Sequence, residues 1–447
     1  MSGERTVYQC EFAWLGGDHA VAEVAIVVVD GTIESVEETS RPAADAVRLP
    51  GLTIPGLANV HSHAFHRGLR SRTQAGIGSF WTWREQMYRL AGRLDPDTYF
   101  LLARAVYAEM VSAGMTAVGE FHYLHHQPGG VPYADPNAMG AALAAAAEEA
   151  GIRLTLLDTC YLQGGFGVAL DGVQSRFGDG DVARWVERAA ARTALASPSV
   201  RLGAAIHSVR AVDAASIELV SSWSRSQGLA LHAHVSEQPA ENEQCLAATG
   251  RSPSELLADH GALGEWFTAI HATHLTDDDL TLLGGAGVVV GLCPTTERDL
   301  ADGVGPARAL RDAGARLALG SDSHAVVDLF EEARAVELDE RLVTRIRGSH
   351  DAPSLLRAAT ANGYASLGWA TGGVLQPGAL ADFVTVDLRS VRTAGVGAEH
   401  AVEAAVFAAT AGDIQRVVVG GRLVADAGHR SIDVARELHD VVMALTE

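Results

Sequence analysis

The sequence contains no lysine: all 34 of its basic residues are arginines, against 55 acidic residues, and the formal net charge is −21. A surface with such an excess of negative charge repels phosphate backbones and anionic lipid headgroups. We therefore expect neither nucleic acid nor a membrane surface as a partner of this protein.

Cysteine is scarce, and no segment reaches the run of about 20 apolar residues that spans a bilayer. The four cysteines show no CxxC spacing, and a chain of 447 residues needs no disulfide framework, so we interpret them as reduced and structural. The N-terminus lacks the basic region and apolar stretch of a secretory signal. Together these features predict a cytoplasmic protein.

The composition, with 48% hydrophobic and 20% charged residues, is typical of a globular protein. One (β/α)8 unit uses about 250 residues, so this length accommodates such a barrel and a smaller domain. Runs with β-strand character occur near both ends of the chain, separated by Gly and Asp turn signals. We expect a small β-sandwich-like domain built from 1–54 and 366–447, and a catalytic barrel over 55–365.

Between the two ends, short β-branched runs alternate with helical stretches rich in Ala, Leu and Glu, which indicates an α/β fold of the (β/α)8 TIM barrel type. Chemistry in such barrels occurs at the C-terminal ends of the strands, and most of the eight predicted strands end in or beside His, Glu or Asp. The predicted strands are 56–61, 116–121, 153–158, 202–207, 229–235, 268–274, 287–293 and 316–322.

Metal-ligating residue types gather at three of these strand ends. His61 and His63 are two residues apart, so their side chains leave the first strand on the same face. His234 ends the fifth strand and Asp322 the eighth. Three imidazoles and one carboxylate suit a single divalent ion, with Zn2+ expected and Fe2+ as the alternative, and leave a position for water. Without lysine, a second metal bridged by a carboxylated lysine is excluded.

Two further residues are candidates for proton transfer beside this metal. Glu237 follows His234 by three residues, where its carboxylate can face a water molecule without binding the metal, and His271 ends the sixth strand. With Asp322 they form the predicted catalytic set. His232 lies one layer deeper than His234 and is interpreted as a packed histidine.

Read in order, PGLANVHSH, HAHVSEQ, the histidine of the sixth strand, GSD and the late segment GALADFVTVD resemble the amidohydrolase superfamily over nearly the whole chain. Within it, HSHAFHR, SFWTWREQMYR, EFHYLHH, AIHSVRAV and CPTTERDL are similar to deiminases of histidine degradation. The resemblance implies hydrolysis of N-formimidoyl-L-glutamate to N-formyl-L-glutamate and ammonia by a homodimer. It assigns the metal and proton-transfer roles to the same residues as the spacing argument.

The resemblance also implies a set of substrate contacts. Two arginines on different barrel loops can each bind a carboxylate in bidentate fashion, which suits a dicarboxylate substrate. The chain departs from the usual pattern at His66, where Gln is more common, and at Asp299, where Asn is usual. We expect Asp299 to add negative charge near the ligand. The implied substrate contacts are Arg84, Tyr123, His207, Arg210 and His66.

Two alternatives remain open on the sequence alone. Another deaminase of the superfamily, acting on a purine or pyrimidine, or a chlorohydrolase-like enzyme could use the same metal set, but its pocket should favour aromatic stacking over paired arginines. A non-catalytic metabolite-binding barrel should have lost a ligand or Glu237, and none is lost. A zinc peptidase is excluded because HExxH is absent.

Overall fold

The computed structural model describes residues 5–41, 43–74, 78, 80–426 and 433–446, which form fifteen strands and fifteen α-helices. The strands are β1 (Arg5–Ala13), β2 (Val21–Val29), β3 (Thr32–Glu38), β4 (Val47–Pro55), β5 (Leu57–Ser62), β6 (Met115–His122), β7 (Arg153–Cys160), β8 (Val200–Ile206), β9 (Leu231–Val235), β10 (Phe267–His271), β11 (Val289–Leu292), β12 (Arg316–Leu319), β13 (Phe383–Val386), β14 (Ile414–Val419) and β15 (Arg422–Asp426).

The helices are α1 (Phe80–Ala91), α2 (Pro96–Ser112), α3 (Ala138–Ala150), α4 (Val182–Ala191), α5 (Ala214–Ser226), α6 (Pro239–Thr249), α7 (Pro253–Asp259), α8 (Asp277–Gly285), α9 (Pro294–Asp299), α10 (Ala307–Ala313), α11 (Leu329–Thr344), α12 (Ala352–Ala359), α13 (Ala361–Ser366), α14 (Ala401–Phe407) and α15 (Val434–Thr446). Many begin where a side chain accepts a hydrogen bond from a free backbone N–H of the first turn. Asp95, Asp181, Asp213, Ser252, Thr276, Asp328 and Asp351 provide these caps.

Strands β5 to β12 pair in chain order, and every pair is parallel. Strands β5, β6 and β7 are buried on both faces, which explains why their sequences are largely continuous apolar runs. The barrel closes just beyond β12, where the N–H groups of Ser321 and Asp322 donate to the carbonyl of His61 at 3.1 and 2.9 Å. The predicted TIM barrel is confirmed, and each of the eight predicted strands overlaps an observed one.

Both ends of the chain contribute to one separate seven-stranded sheet, in the order β15-β14-β13-β4-β1-β2-β3. Only β1 and β4 are parallel neighbours, and the other pairs are antiparallel. A small apolar core that includes Tyr8, Ile26 and Phe383 packs on this sheet. The prediction that the two ends form one β-domain is confirmed, whereas the exact limits 1–54, 55–365 and 366–447 stay predictions.

The sheet and the barrel are joined through a close backbone junction. Strand β4 runs into β5 through Gly56, where an added Cβ would lie 1.9 Å from Oγ1 of Thr116, so only glycine fits. Arg153, at the start of β7, donates two hydrogen bonds to Asp382, just before β13, at 2.5 and 3.0 Å. In the part of the chain that is described, no helix combines the length and apolar character needed to span a membrane.

Candidate active site

Four ligand-type side chains converge at the C-terminal end of the barrel. His61 lies near the end of β5 and His63 directly after it, His234 lies in β9, and Asp322 follows β12. Nε2 of His61 lies 3.1 Å from Nε2 of His234 and 3.2 Å from Oδ1 of Asp322, and Nε2 of His63 lies 3.4 Å from the same oxygen. The structure therefore brings together all four predicted metal ligands.

The protonation pattern of this cluster fits a bound cation. Nδ1 of His63 lies 3.0 Å from the carbonyl of Phe121, and Nδ1 of His234 lies 2.8 Å from the carbonyl of His207. A carbonyl only accepts, so each Nδ1 carries the proton and each Nε2 directs a lone pair toward the centre. Burial lowers the pKa of both imidazoles well below the usual range, which keeps them neutral.

The spacing of the ligand atoms also fits a cation. A tetrahedral zinc ion with bonds of about 2.0 to 2.2 Å would place its ligand atoms about 3.3 Å apart. The three contacts in this cluster measure 3.1, 3.2 and 3.4 Å. The spacing and the donor types of these residues therefore fit a metal ion.

A network of buried hydrogen bonds holds the His61–His63 segment in place. Ser62, between the two histidines, donates to Oε2 of Glu120 at 2.7 Å, and the N–H of Ala64 donates to Oε1 at 2.7 Å. Burial raises the pKa of Glu120 to about 7. Glu120, in β6, had no role in the predictions from the sequence. In the structure it anchors the His61–His63 segment.

Two of the predicted catalytic residues have strained backbone, one at the end of β10 and one just after β12. His271 and Asp322 have φ of 69° and 39°, in the left-handed region that side chains other than glycine rarely adopt. Hydrogen bonds to neighbouring strand ends hold this conformation: the N–H of Ala272 donates to Val235 at 3.0 Å, and that of Asp322 donates to His61. Such strained residues cluster at active sites, where the surrounding structure fixes them.

The predicted proton-transfer residues lie beside the metal cluster. Nε2 of His271 is 3.9 Å from Oε1 of Glu237 and 4.0 Å from Oδ2 of Asp322. On its other side, Nδ1 of His271 is 3.4 Å from Oε1 of Glu297. Burial opposes protonation, but the surrounding carboxylates outweigh it and raise the pKa of His271 to about 10. Burial raises the pKa of Glu237 as well. The raised pKa values favour the protonated forms of both His271 and Glu237.

A single cavity connects these residues with the predicted substrate contacts. His61 lies beneath it, fully buried, and every other predicted site residue lines it. Aromatic and apolar side chains that were not predicted complete the wall. The lining residues are His63, His66, Trp83, Arg84, Met87, Tyr88, Tyr123, Tyr161, Phe177, His207, Arg210, His234, Glu237, His271, Leu300 and Asp322.

The substrate end of the cavity is built from residues on several loops. Nε2 of His66 lies 3.0 Å from the hydroxyl of Tyr123. The guanidinium of Arg84 lies over the ring of Tyr88, 5.6 Å from its centroid. Nε of Arg210 is 3.7 Å from Oε1 of Glu241, a residue without a role in the sequence analysis. These contacts place two guanidinium groups and several tyrosine side chains in the wall of the cavity.

The positions of His232 and Asp299 bear on two expectations from the sequence. Nε2 of His232 lies 3.1 Å from the carbonyl of Ser366, as expected of a packed histidine. Asp299 does not line the cavity: it accepts hydrogen bonds from Gln74 at 3.0 and 2.8 Å. The side chain of Leu300 faces the cavity instead. The expectation that Asp299 adds charge near the ligand was wrong, because the turn of α9 directs it to the other side.

Comparison with known proteins agrees with this geometry. The model of the amidohydrolase family matches residues 52–424. This chain belongs to the amidohydrolase family. It is 36% identical over 417 residues to formimidoylglutamate deiminase of Pseudomonas aeruginosa, a match that covers 91% of both chains.

Two solved structures share the complete fold. An amidohydrolase from Brucella melitensis has a TM-score of 0.92 and 32% identity, and the match covers 99% of this chain and 100% of that one. An adenosine deaminase from Xanthomonas campestris with bound zinc has a TM-score of 0.85 and 23% identity, with 98% and 97% covered. The second likeness shows the fold alone.

Proposed function

We propose that this protein hydrolyses N-formimidoyl-L-glutamate to N-formyl-L-glutamate and ammonia, as a step in histidine degradation. The observation that carries the proposal is one cavity with proton-transfer groups at one end and two arginines, Arg84 and Arg210, in its wall. Two carboxylates on the substrate match two arginines, since a guanidinium binds a carboxylate in bidentate fashion. The similarity to the Pseudomonas deiminase supports the same reaction.

We propose Zn2+ as the metal, with Fe2+ as the alternative, held by His61, His63, His234 and Asp322. Nitrogen and oxygen donors in this number are typical of catalytic zinc sites, and the Xanthomonas neighbour carries zinc. When bound, such an ion lowers the pKa of a water molecule toward neutrality and polarises the group under attack.

The residues of the chain supply the proton transfers. Asp322, with His271 4.0 Å away, accepts the proton that water loses as its oxygen bonds to the formimidoyl carbon. Glu237 faces the amidinium and delivers a proton to the terminal nitrogen. The bond from carbon to that nitrogen then breaks, the remaining hydroxyl proton returns to the carboxylate of Glu237 as the carbon–oxygen double bond forms, and ammonia leaves. The raised pKa of Glu237 suits a group that must carry a proton near neutral pH.

The cavity has one feature that favours a second candidate, a deaminase of an aminated purine or pyrimidine. Trp83, Tyr88, Tyr161 and Phe177 line it, and aromatic side chains stack on planar rings. The arginines favour the dicarboxylate, because a neutral ring offers no carboxylate for the guanidinium of Arg84 or Arg210 to bind.

Ammonia release from parallel substrates tests the proposal. Purified protein loaded with Zn2+ is incubated with N-formimidoyl-L-glutamate, guanine and cytosine, and the Glu237→Gln variant is the control for contaminating activity. We expect ammonia from N-formimidoyl-L-glutamate alone, and none from the variant on the same time scale. Faster release from either nucleobase would favour the second candidate, and no release from any would contradict the enzyme reading.

We further propose that the protein works as a cytoplasmic homodimer that binds neither nucleic acid nor membranes. The net charge of −21 supports the absence of polyanionic partners, and twofold dimers are the commonest soluble homo-oligomers. Light scattering of the eluting peak in size-exclusion chromatography measures the oligomeric state, and a monomeric mass at micromolar concentration would contradict the dimer.

A further inference from the structure

Glu241 is a buried carboxylate that the reaction scheme does not use. It lies in the first turn of α6 and is 2% exposed. Its Oε2 accepts a hydrogen bond from the N–H of Glu237 at 3.2 Å, and its Oε1 lies 3.7 Å from Nε of Arg210. Among the described residues, neither Oε1 of Glu241 nor Nε of Arg210 has a hydrogen-bond partner. Glu241 thus lies between the proton-transfer loop and the arginine of the substrate cavity.

The protonation of Glu241 follows from the same contacts. Burial raises its pKa, while the guanidinium of Arg210 and the N–H of Glu237 oppose that rise because both favour the carboxylate. Arg210 lines the cavity, and Glu241, which is not part of the lining, pairs this permanent positive charge with a carboxylate 3.7 Å from its Nε.

The proposed reaction changes the charge of the ligand inside this cavity. N-Formimidoyl-L-glutamate has two carboxylates and one amidinium, so its net charge near neutral pH is −1. In N-formyl-L-glutamate the amidinium has become a neutral amide, so the net charge is −2. A fixed carboxylate at Glu241 attracts the amidinium of the substrate and repels the carboxylates of both ligands. Glu241 therefore repels the carboxylates of the product, and the product has no amidinium whose attraction to Glu241 would offset this repulsion.

We propose that Glu241 is a positioning and specificity-determining residue that holds Arg210 in place and disfavours the dianionic product. This inference rests on the proposed function. With Glu241 present, Arg210 binds a substrate carboxylate, but the cavity releases the product once the amidinium is gone. Any contribution of Arg84 is common to both ligands and does not alter this difference.

The test compares substrate and product in Glu241→Gln, a variant of the same shape without the charge. Steady-state ammonia release by zinc-loaded protein gives KM for N-formimidoyl-L-glutamate and the inhibition constant Ki for added N-formyl-L-glutamate. We expect Ki to fall by about tenfold or more while KM changes by less than about threefold, the scale of one unit charge in a partly shielded cavity. Glu241→Asp, which keeps the charge, should retain the wild-type ratio of KM to Ki.

Glu243→Gln is the matched control, because Glu243 is exposed on the same helix and its loss changes the formal charge equally. It should leave the ratio of KM to Ki unchanged. Equal changes of KM and Ki in Glu241→Gln would make Glu241 a purely structural support and overturn the inference.

The wild-type protein supplies a second test that needs no folded variant. Ki for the product must exceed KM for the substrate, and a Ki at or below KM contradicts the inference. If the wild type releases no ammonia from N-formimidoyl-L-glutamate, the proposed function and the inference fail together. If it turns over the substrate but the ratio is unaltered in Glu241→Gln, only the inference fails.

Discussion

Replacing Arg210 with Met removes the guanidinium from the cavity and keeps a side chain of similar length. If Arg210 binds a substrate carboxylate, the loss of a charge-assisted bidentate contact should cost roughly 2 to 4 kcal/mol of transition-state binding. That energy corresponds to a decrease of about thirtyfold to a thousandfold in kcat/KM. The metal content should stay unchanged, because Arg210 pairs with Glu241, which is not one of the proposed metal ligands.

The Arg210→Met substitution should also lower the stability of the folded protein. Without Arg210, the buried carboxylate of Glu241 loses the cation 3.7 Å away, and its pKa rises further. Breaking one side of a buried ion pair costs about 3 to 5 kcal/mol, and we expect the lower end because this pair lacks a direct hydrogen bond. The double variant Arg210→Met/Glu241→Gln should recover most of the stability in thermal unfolding but not the lost kcat/KM.

The assay is ammonia release from N-formimidoyl-L-glutamate and from two analogues, each of which lacks one of its two carboxylates. Arg201→Met is the control, since Arg201 is exposed near the start of β8, whereas Arg210 follows its C-terminal end. Arg201→Met should leave kcat/KM unchanged. If Arg210→Met lowers activity equally on the substrate and on each of the two monocarboxylate analogues, Arg210 supports the catalytic groups and binds neither carboxylate.

Asp322→Asn should bind less metal by atomic absorption and lose at least about a hundredfold in kcat, because it removes a ligand oxygen and a proton acceptor; wild-type turnover with full metal content would refute the four-ligand set. Glu237→Gln should keep about one equivalent of metal and lose about two to four powers of ten in activity, and loss of the metal would show that Glu237 is a ligand. Burial raises the pKa of all four cysteines, so Ellman's reagent should react slowly with the native protein and with four thiols after denaturation; rapid labelling of the native protein would contradict this.

The strand ends of the barrel could be predicted from the sequence because their signals are local. His61 and His63 share a face through the two-residue repeat of a strand, and His234 and Asp322 each end an apolar run. Once the barrel is recognised, its geometry places all strand ends around one opening. The convergence of the ligands therefore follows from the fold class.

The acidic residues around the proton-transfer group could not be predicted in this way. Glu297 and Glu241 each lie near the start of a short helix, where acidic residues are common for reasons of helix stability alone. Only the tertiary fold brings Glu297 to His271, 3.4 Å away, and Glu241 to Arg210.

The orientation of α9 relative to the cavity could not be predicted for a related reason. The segment CPTTERDL was recognised as a motif but not as a helix, so its phase was unknown. On a helix, residues three apart share a side, which directs Glu297 and Leu300 inward and Asp299 outward. Because the phase of the helix was unknown, the sequence did not show that Leu300, and not the neighbouring Asp299, lines the cavity.

The closure of the barrel at His61 has a consequence for the order of events during synthesis. The nascent chain exposes the two histidines of β5 early, but Asp322 emerges only after the eighth strand. The same two backbone N–H groups that close the barrel belong to Asp322 and its neighbour Ser321. A truncated chain that ends before this point lacks both the closure and the fourth ligand. With the proposed four-ligand set, tight retention of the metal would therefore mark a chain whose barrel has been completed.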